Sequence, residues 1–290
     1  MAENMSERED RILANIVKET HGKLRNLVLN DEMDEEQIWR KHVKNVQESG
    51  EGKKYAEAMK NLSDKHWNNE SRLDWIASKI QLYFFQKDFQ RFFSRLQRKQ
   101  ESEMKEIQFD QQQVKILDVG SCHNPLRKVI QDKNVEIFAL DLNPANEEVV
   151  QGDFLQMPLD ENSFLRPKFF DSVVFCLLLE YLPTPKLRLK SIEKASKLLK
   201  DFGLLIIITP DSSHQGKNMN QMKSWRLALA QLGFIRIYYD KLKHVTCLAY
   251  VKIPPESYEN AFEKEINQIQ KKFDSSTFSL DSAFYIPQDL

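Results

Sequence analysis

Residues 172–178 carry an unbroken apolar run, Val-Val-Phe-Cys-Leu-Leu after Ser172. The run has the β-branched and aromatic content of a strand and is far shorter than the roughly 20 residues that span a bilayer. A strand that is apolar at every position must be covered on both faces, as at the centre of a parallel sheet. The run therefore predicts an α/β fold with helices on both sides of a sheet.

Further strand-like runs follow the same pattern. Four of them, separated by helical or turn segments, lie at residues 114–119, 136–141, 148–153 and 204–209. This alternation indicates βαβ units. Two last runs, 234–239 and 245–251, leave no room for a crossover helix and must pair antiparallel. Parallel strands that end in a hairpin predict a class I methyltransferase-type Rossmann-like sheet over residues 114–253.

The segments before and after the predicted sheet have different sequence patterns. Residues 1–100 are highly charged, with apolar residues three and four positions apart, and predict an N-terminal all-helical domain of three or four helices. We expect the longest helix near 72–98. Residues 101–113 form a polar linker, and residues 254–290 predict a C-terminal helix with a partly flexible tail.

Charge and cysteine content limit the class of protein. The chain has 42 basic and 43 acidic residues, so its overall field offers no attraction to nucleic acid or to an anionic membrane. It has no apolar run of membrane length, and its amino terminus lacks a signal-peptide pattern. Its three cysteines form no CxxC or Cys/His cluster, which argues against a structural metal. We expect a soluble cytoplasmic protein without a metal.

Acidic residues stand at the carboxyl ends of three successive predicted strands, where ligands bind in open α/β sheets. Asp118 precedes Gly120, whose missing side chain lets a ligand approach the backbone; Asp141 is placed to bind ribose hydroxyls. Asp153 and Phe154 are placed to contact an adenine ring, and Cys176 ends the fourth strand at the same edge. Together they predict a binding site for S-adenosylmethionine.

Each of these residues also has a structural explanation when taken alone. The glycine turn lacks the second and third glycines of the usual motif, so Gly120 could serve an ordinary turn. Asp141 could cap the turn that follows its strand. The joint placement at three strand ends is what favours a ligand site.

The end of the fourth strand leaves catalysis open. Glu180 and Tyr181 follow it and could orient a substrate or act as a base, but they fit the first turn of a helix equally well. No Asn/Asp-Pro-Pro-Tyr motif and no pair of cysteines is present. Methyl transfer from a sulfonium depends mainly on positioning, so a missing base does not exclude an enzyme. We assign no catalytic residue.

Two polar clusters have two interpretations each. In residues 66–75, Arg72 could reach the carboxylate of the ligand's methionine part, or the cluster could be a helix junction with Ser71 as N-cap. Residues 209–215, Thr-Pro-Asp-Ser-Ser-His-Gln, are either a substrate or partner surface or the capping of a helix that begins near Asn218.

These residues and several longer stretches resemble the SAMTOR family, S-adenosylmethionine sensors upstream of the TOR kinase complex, which are related to fungal 25S rRNA adenine-N1 methyltransferases. The similarity covers most of the chain. Its motifs are Leu117-Asp-Val-Gly-Ser-Cys122 with Asn124-Pro125, Asp153-Phe-Leu155, residues 170–179, Ile208-Thr-Pro-Asp-Ser-Ser-His-Gln215, Met222-Lys-Ser-Trp225 and Leu232-Gly-Phe234.

The resemblance implies that S-adenosylmethionine binds between the helical domain and the Rossmann-like domain, with S-adenosylhomocysteine as product or competitor. It implies contacts from Gly120 and Asp141, with Asp153, Phe154 and Cys176 near the adenine and Arg72 toward the carboxylate. It also implies nutrient (methionine) sensing. The ligand-free form would associate with the GATOR-one complex, and with a KICSTOR-like scaffold where one exists, to inhibit TOR signalling. Recruitment to the lysosomal surface would come through those partners.

Two other function classes compete with a sensor. A methyltransferase acting on RNA would use the helical domain as a substrate platform; basic residues do cluster at 186–200 and 87–99, although the second cluster also fits a solvated helix face. An NAD-dependent oxidoreductase is disfavoured because the GxGxxG turn is missing and a hairpin closes the sheet.

Overall fold

The computed structural model describes residues 5–30, 33–66, 72–100, 113–211, 215–254, 266–267, 269 and 278–286. Helices precede the sheet in the chain. They are α1 (Met5–Asn30), α2 (Glu35–Glu48), α3 (Glu51–His66), α4 (Arg72–Ile80), a π-helical segment (Gln81–Phe85) and α5 (Asp88–Gln100). We call α1, α2 and α3 the helical cover, because residues from all three contact the carboxyl-end side of the sheet.

One seven-stranded sheet forms the centre of the molecule, in the order β3-β2-β1-β4-β5-β7-β6. The strands are β1 (Val114–Val119), β2 (Val135–Asp141), β3 (Val150–Gln151), β4 (Phe170–Cys176), β5 (Leu199–Pro210), β6 (Phe234–Leu242) and β7 (Val245–Lys252). Strands β1 to β5 pair in parallel, and β7 pairs antiparallel with both β5 and β6. The class I methyltransferase-type sheet with a terminal antiparallel hairpin is thus confirmed.

The central strands are buried on both faces, as the apolar run predicts. Every residue of β4 from Phe170 to Phe175 is buried. Val173 and Phe175 face one apolar cluster, whereas Val174 faces the other. Because side chains alternate along a strand, this burial requires a helical layer on each side of the sheet.

The helices supply those two layers. The first layer holds α7 (Pro185–Leu198), a short C-terminal helix α9 (Leu280–Ala283) and parts of α1 and α2; the second holds α4, the π-helical segment, α5 and the short α6 (Leu126–Val129). Helix α8 (Gln215–Gln231) contributes side chains to both clusters. The sheet is therefore enclosed between two helical layers, and the helical cover packs on the carboxyl ends of its strands.

Two expectations for single elements are wrong. The long helix expected at 72–98 is interrupted: Gln86 is extended, with φ −110° and ψ −166°, so that α4 with its π-helical segment and α5 are separate and α1 is longer than either. The third strand is the two-residue β3 rather than 148–153. This strand pairs with only two residues of β2, Leu140 and Asp141.

The C-terminal region returns to the first layer. Trp225 of α8 packs edge-to-face on Phe284 with ring centroids 5.5 Å apart, and Ser224 Oγ donates to the Ala283 carbonyl at 3.2 Å. Most of the helix expected after Pro254 lies outside the described residues. Among the helices that the structure describes, none combines the length and apolar character needed to cross a bilayer.

Candidate functional site

The turn after β1 brings backbone and carboxylate together at the strand ends. Gly120 has φ +77°, a backbone conformation that is strained for residues with a side chain. Its N–H donates to the Leu140 carbonyl at 2.8 Å. A Cβ at Gly120 would lie 3.0 Å from Leu178 Cδ1. Ser121 Oγ donates to Asp118 Oδ2 at 2.6 Å, and burial raises the pKa of Asp118 to about 6. The turn after β1 is therefore tightly packed and largely buried.

Asp141, at the end of β2, is held in place by backbone donors. The N–H of Cys122 donates to its Oδ2 at 2.8 Å, and the N–H of Asn143 donates to its Oδ1 at 2.7 Å. Burial raises the pKa of Asp141 to about 6, while these two hydrogen bonds act in the opposite direction. The carboxyl group is thus mainly ionised at pH 7, and each oxygen keeps one acceptor position beyond these bonds.

Asp153 follows β3 and contacts the helical cover. Its Oδ1 accepts from the Leu155 N–H at 2.9 Å, and its Oδ2 accepts from the indole Nε1–H of Trp39 at 2.8 Å. Burial raises its pKa, and the hydrogen bond from Trp39 lowers it. The neighbouring Phe154 packs edge-to-face on Phe175, with ring centroids 5.7 Å apart. Asp153 therefore forms hydrogen bonds both with the helical cover and with the backbone of its own loop.

Cys176 and Arg72 complete the set of predicted residues. Burial raises the pKa of Cys176 to about 11, with the cationic Arg72 beside it acting in the opposite direction. Burial likewise raises the pKa of Cys122 to about 12. Both thiols are protonated at neutral pH and are poor nucleophiles.

One cavity collects these residues. All of the site residues predicted from the sequence line it: Arg72, Asp118, Gly120, Asp141, Asp153, Phe154 and Cys176. The helical cover supplies lining residues that the sequence analysis did not single out: Trp39, Tyr55, Ala56, Met59 and Ser63. The cavity therefore lies between the strand ends and the helical cover.

Helix α3 approaches the loop after β2 closely at Gly52. A Cβ on this residue, in the first turn of α3, would lie 2.1 Å from Oδ1 of Asn143, which follows Asp141. Nearby, Cys122 Sγ donates to the Ala56 carbonyl at 3.5 Å. Helix α3 thus packs directly on the loops that follow β1 and β2, next to Asp141.

Tyr181 lies at the centre of a ring cluster that we define as Tyr181 with His21, Trp39, His42 and Tyr55. Its ring lies 5.2–6.1 Å, centroid to centroid, from each of the other four. His42 Nε2 and the Tyr181 hydroxyl lie 2.7 Å apart. Burial lowers the pKa of both histidines to about 4, so both are neutral at pH 7. Aromatic rings of the helical cover thus pack around Tyr181 in the loop after β4.

Two buried ionisable side chains belong to this region: Glu180 lies within the loop, and Arg188 lies on α7 behind it. Within the described part of the chain, neither carboxyl oxygen of Glu180 has a hydrogen-bond partner, and burial raises its pKa to about 8. Arg188 is fully buried and donates to the carbonyls of Leu179, Leu182 and Phe284 at 2.7–2.9 Å. Burial lowers the pKa of Arg188 to about 10, so it stays charged. We define residues 177–183 as the pocket loop, which Arg188 ties to the C-terminal segment.

Parts of the two polar clusters lie outside the described residues. Residues 67–71 of the first cluster, including Ser71, are among them, and Arg72 opens α4. Residues 212–214 of the second cluster are also outside; Asp211 forms an ion pair with Lys241 at 2.9 Å, and α8 begins at Gln215. Across the described ranges, no three His, Cys, Asp or Glu side chains are grouped to hold a metal ion.

Comparisons with known proteins agree on one family. The family model for 25S rRNA (adenine(2142)-N(1))-methyltransferase, Bmt2, matches residues 90–280. A Danio rerio protein named S-adenosylmethionine sensor upstream of mTORC1 is 33% identical, covering 97% of this chain and 77% of the relative. A Xenopus tropicalis protein of the same name is 32% identical, covering 97% and 76%.

Solved structures that match part of this chain include two methyltransferases. The 1,6-didemethyltoxoflavin-N1-methyltransferase of Burkholderia thailandensis, with bound S-adenosylhomocysteine, gives a TM-score of 0.42 at 11% identity and covers 67% of this chain and 84% of its own. An S-adenosylmethionine-dependent methyltransferase from Methanosarcina mazei gives 0.39 at 13% identity, with 49% and 94% covered.

Proposed function

This chain belongs to the family of the S-adenosylmethionine sensors upstream of mTORC1 and the Bmt2 methyltransferases, and from that membership we propose that it is itself an S-adenosylmethionine sensor. The observation that carries the proposal is that Asp118, Asp141 and Asp153, from three strand ends, line one cavity together with residues of the helical cover. The cavity lies between the helical cover and the strand ends, and a sensing ligand would have to change how these two parts are arranged.

The lining residues fit the parts of the ligand. Gly120 has no side chain, so a ligand could approach its backbone closely, and a Cβ there would also meet Leu178. Asp141 has acceptor positions for ribose hydroxyls. Asp153 and Phe154 would contact the adenine near Cys176, and Arg72 would bind the carboxylate of the methionine part. When bound, the ligand would supply a sulfonium methyl group, and the residues named here would hold it.

A sensing role is favoured over catalysis by the surroundings of the pocket loop. The hydroxyl of Tyr181 lies within hydrogen-bond distance of His42, and rings of the helical cover surround it. A methyl acceptor would have to displace this ring cluster. We propose that the ligand-free arrangement associates with the GATOR-one complex, and with a KICSTOR-like scaffold where one exists, and thereby inhibits TOR signalling in the cytoplasm or at the lysosomal surface. Ligand binding would reduce that association because it favours another arrangement of the helical cover.

Calorimetry tests the binding part of this proposal. We expect the full chain to bind S-adenosylmethionine and S-adenosylhomocysteine, and Gly120→Asp to weaken binding by about 100-fold or more because its side chain would occupy the ligand's space. Gly22→Ala is the matched control, since a Cβ at Gly22 meets nothing within 4 Å. Equal affinity of Gly120→Asp and the wild-type chain, with both folded by circular dichroism, would refute the site.

Partner capture tests the sensing part. The chain immobilised without ligand should retain the GATOR-one complex, and saturating S-adenosylmethionine should release it. Gly120→Asp should retain the complex with or without ligand. Retention by the wild-type chain that is unaffected by ligand would refute a sensor.

Methyl transfer to RNA is the second candidate, favoured by the match to the Bmt2 family model. It predicts incorporation of a radiolabelled methyl group into total RNA, with loss of the signal in Asp141→Ala. Incorporation that requires Asp141 would establish this activity. If a chain shown to bind the cofactor incorporates no label, the sensor is the one of these two functions that remains.

A further inference from the structure

Arg188 is a buried cation in the first turns of α7. Its side chain is 0% exposed, and the helix begins at Pro185. Burial and the positive end of the helix dipole both disfavour a charge at this place. Each of the three guanidinium nitrogens donates to a main-chain carbonyl: Leu179 at 2.8 Å, Leu182 at 2.7 Å and Phe284 at 2.9 Å. These three acceptors therefore stabilise the charge where it lies.

Two of the three carbonyls belong to the pocket loop. Leu182 lines the cavity, and Leu178 and Tyr181 of the same loop line it as well. The loop begins in a strained conformation, because Leu177 has φ +60°, which residues with a side chain seldom adopt. Such a conformation persists only where the surroundings hold it. Arg188 holds two points of this loop and, in the described part of the chain, does not itself line the cavity.

The third carbonyl comes from a segment that follows the whole sheet in the chain. We define residues 278–286 as the C-terminal segment. It docks on α8: the rings of Phe284 and Trp225 lie 5.5 Å apart, centroid to centroid, and the Trp225 Nε1–H donates to the Tyr285 carbonyl at 3.3 Å. The Phe284 carbonyl is therefore fixed at Arg188 while this segment is docked.

We propose that the C-terminal segment sets the affinity of the cavity for its ligand, because its Phe284 carbonyl completes the set of acceptors through which Arg188 holds the pocket loop. Arg188 is thus a positioning residue and not a contact of the ligand. The inference rests on the proposed function and adds a regulation of the same site. When the segment leaves α8, Arg188 loses one of three acceptors, the pocket loop populates other conformations, and the fraction of the chain that can bind ligand falls.

Phe284→Ala tests this link, because it removes the apolar anchor of the segment and leaves Arg188, the pocket loop and every main-chain carbonyl in the chain. In calorimetry, we expect the variant to bind S-adenosylmethionine about 5- to 20-fold more weakly than the wild-type chain. Phe284→Leu keeps an apolar anchor and should stay within about 2-fold of the wild-type affinity. Ser224→Ala removes one hydrogen bond to the Ala283 carbonyl and should weaken binding by about 2- to 3-fold, which provides a test if Phe284→Ala does not fold.

Phe93→Ala is the matched control. Phe93 is buried in the second layer, its ring lies 5.7 Å from that of Phe89 and 5.6 Å from that of Phe202, and it does not line the cavity. It should lower the free energy of unfolding as Phe284→Ala does, but it should leave S-adenosylmethionine affinity unchanged. Amide hydrogen exchange should become faster in the pocket loop of Phe284→Ala and not in that of Phe93→Ala.

Two results would overturn this inference and leave the site intact. One is unchanged affinity in Phe284→Ala when amide exchange shows that the C-terminal segment is undocked, and unchanged affinity in Ser224→Ala has the same meaning if Phe284→Ala does not fold. The other is an equal loss of affinity in Phe93→Ala, which would make the effect one of general stability. Failure of the wild-type chain to bind either S-adenosylmethionine or S-adenosylhomocysteine would overturn the proposed function and this inference together.

Discussion

The centre of the sheet and the contact between the helical cover and the strand ends are held together differently. In β4 and β5, residues such as Val174 and Ile206 are fully buried and form part of a continuous ladder. At the helical cover, Leu24, Ile38 and Trp39 take part in the apolar packing, but directional contacts are added to it: Trp39 donates a hydrogen bond to Asp153, and His42 lies within hydrogen-bond distance of Tyr181. Apolar burial has no direction and accumulates with area, whereas each hydrogen bond depends on one pair of atoms.

This difference determines what a small ligand can alter. A polar ligand offers donors and acceptors that can replace a hydrogen bond at the helical cover, but it offers nothing that replaces the burial of β4 between two layers. We therefore expect substitutions in the sheet to change stability and substitutions at the helical cover to change ligand binding. The following predictions test that separation, beginning with the largest effect.

Ile206→Ala should lower the free energy of unfolding by about 2–5 kcal/mol, because Ile206 is fully buried and its loss leaves a cavity in the second layer. Urea unfolding measures the change. Ile12→Ala is the control: Ile12 is 54% exposed, and its loss should stay within about 0.5 kcal/mol. S-adenosylmethionine affinity should be unchanged in Ile206→Ala, and a large loss of affinity would break the separation.

Glu180→Gln should raise the free energy of unfolding at pH 7 by about 1–3 kcal/mol. Burial raises the pKa of Glu180 in the folded chain to about 8, above its ordinary value of 4.5, so its contribution to stability is present below pH 4.5 and lost as pH rises toward 8. The glutamine has no such dependence. Urea unfolding of both chains at pH 5 and pH 7.5 measures the difference, which should grow with pH.

The other titrating groups cancel in that difference. Asp118 and Asp141 change stability in the same sense as Glu180, and His21 and His42 in the opposite sense, but both chains contain all four. A difference between Glu180→Gln and the wild-type chain that is the same at both pH values would contradict a raised pKa of the buried Glu180 carboxyl group, which Arg188 and Arg72 offset only in part.

Gly52→Ala should have the smallest effect on stability, about 1 kcal/mol, and still weaken S-adenosylmethionine binding by about 3- to 10-fold. Its Cβ would displace the Asn143 side chain, which lines the cavity beside Asp141, from its place against α3. Calorimetry and amide exchange in α3 check both parts. Gly22→Ala, on an open helix surface, should change neither; equal binding by the two variants would show that α3 does not act on the site.

The sheet and the acidic strand ends could be predicted from the sequence because both depend on local pattern. The apolar run at 172–178 required burial on two faces, and strands that run parallel must end at one edge, which placed Asp118, Asp141 and Asp153 together. The antiparallel hairpin followed from the short connection between β6 and β7.

The helical cover's share of the site could not be predicted in this way. Amphipathic spacing shows that Trp39 and Tyr55 lie on helices, but not which strand end they contact, because the partners are more than 100 residues away. The interruption of the helix expected at 72–98 also left no signal, since no proline or glycine occurs between Ile80 and Asp88. Contacts between distant segments decided both.

The three bonds of Arg188 place a condition on the order in which the molecule is completed during synthesis. Leu179 and Leu182 are close to Arg188 in sequence, but Phe284 follows 96 residues later, after the whole sheet. A nascent chain can therefore finish all seven strands while the charged guanidinium still lacks its last carbonyl partner. The pocket loop acquires its final support only when that segment has left the ribosome, so an unfinished chain has the fold before it has a finished binding site.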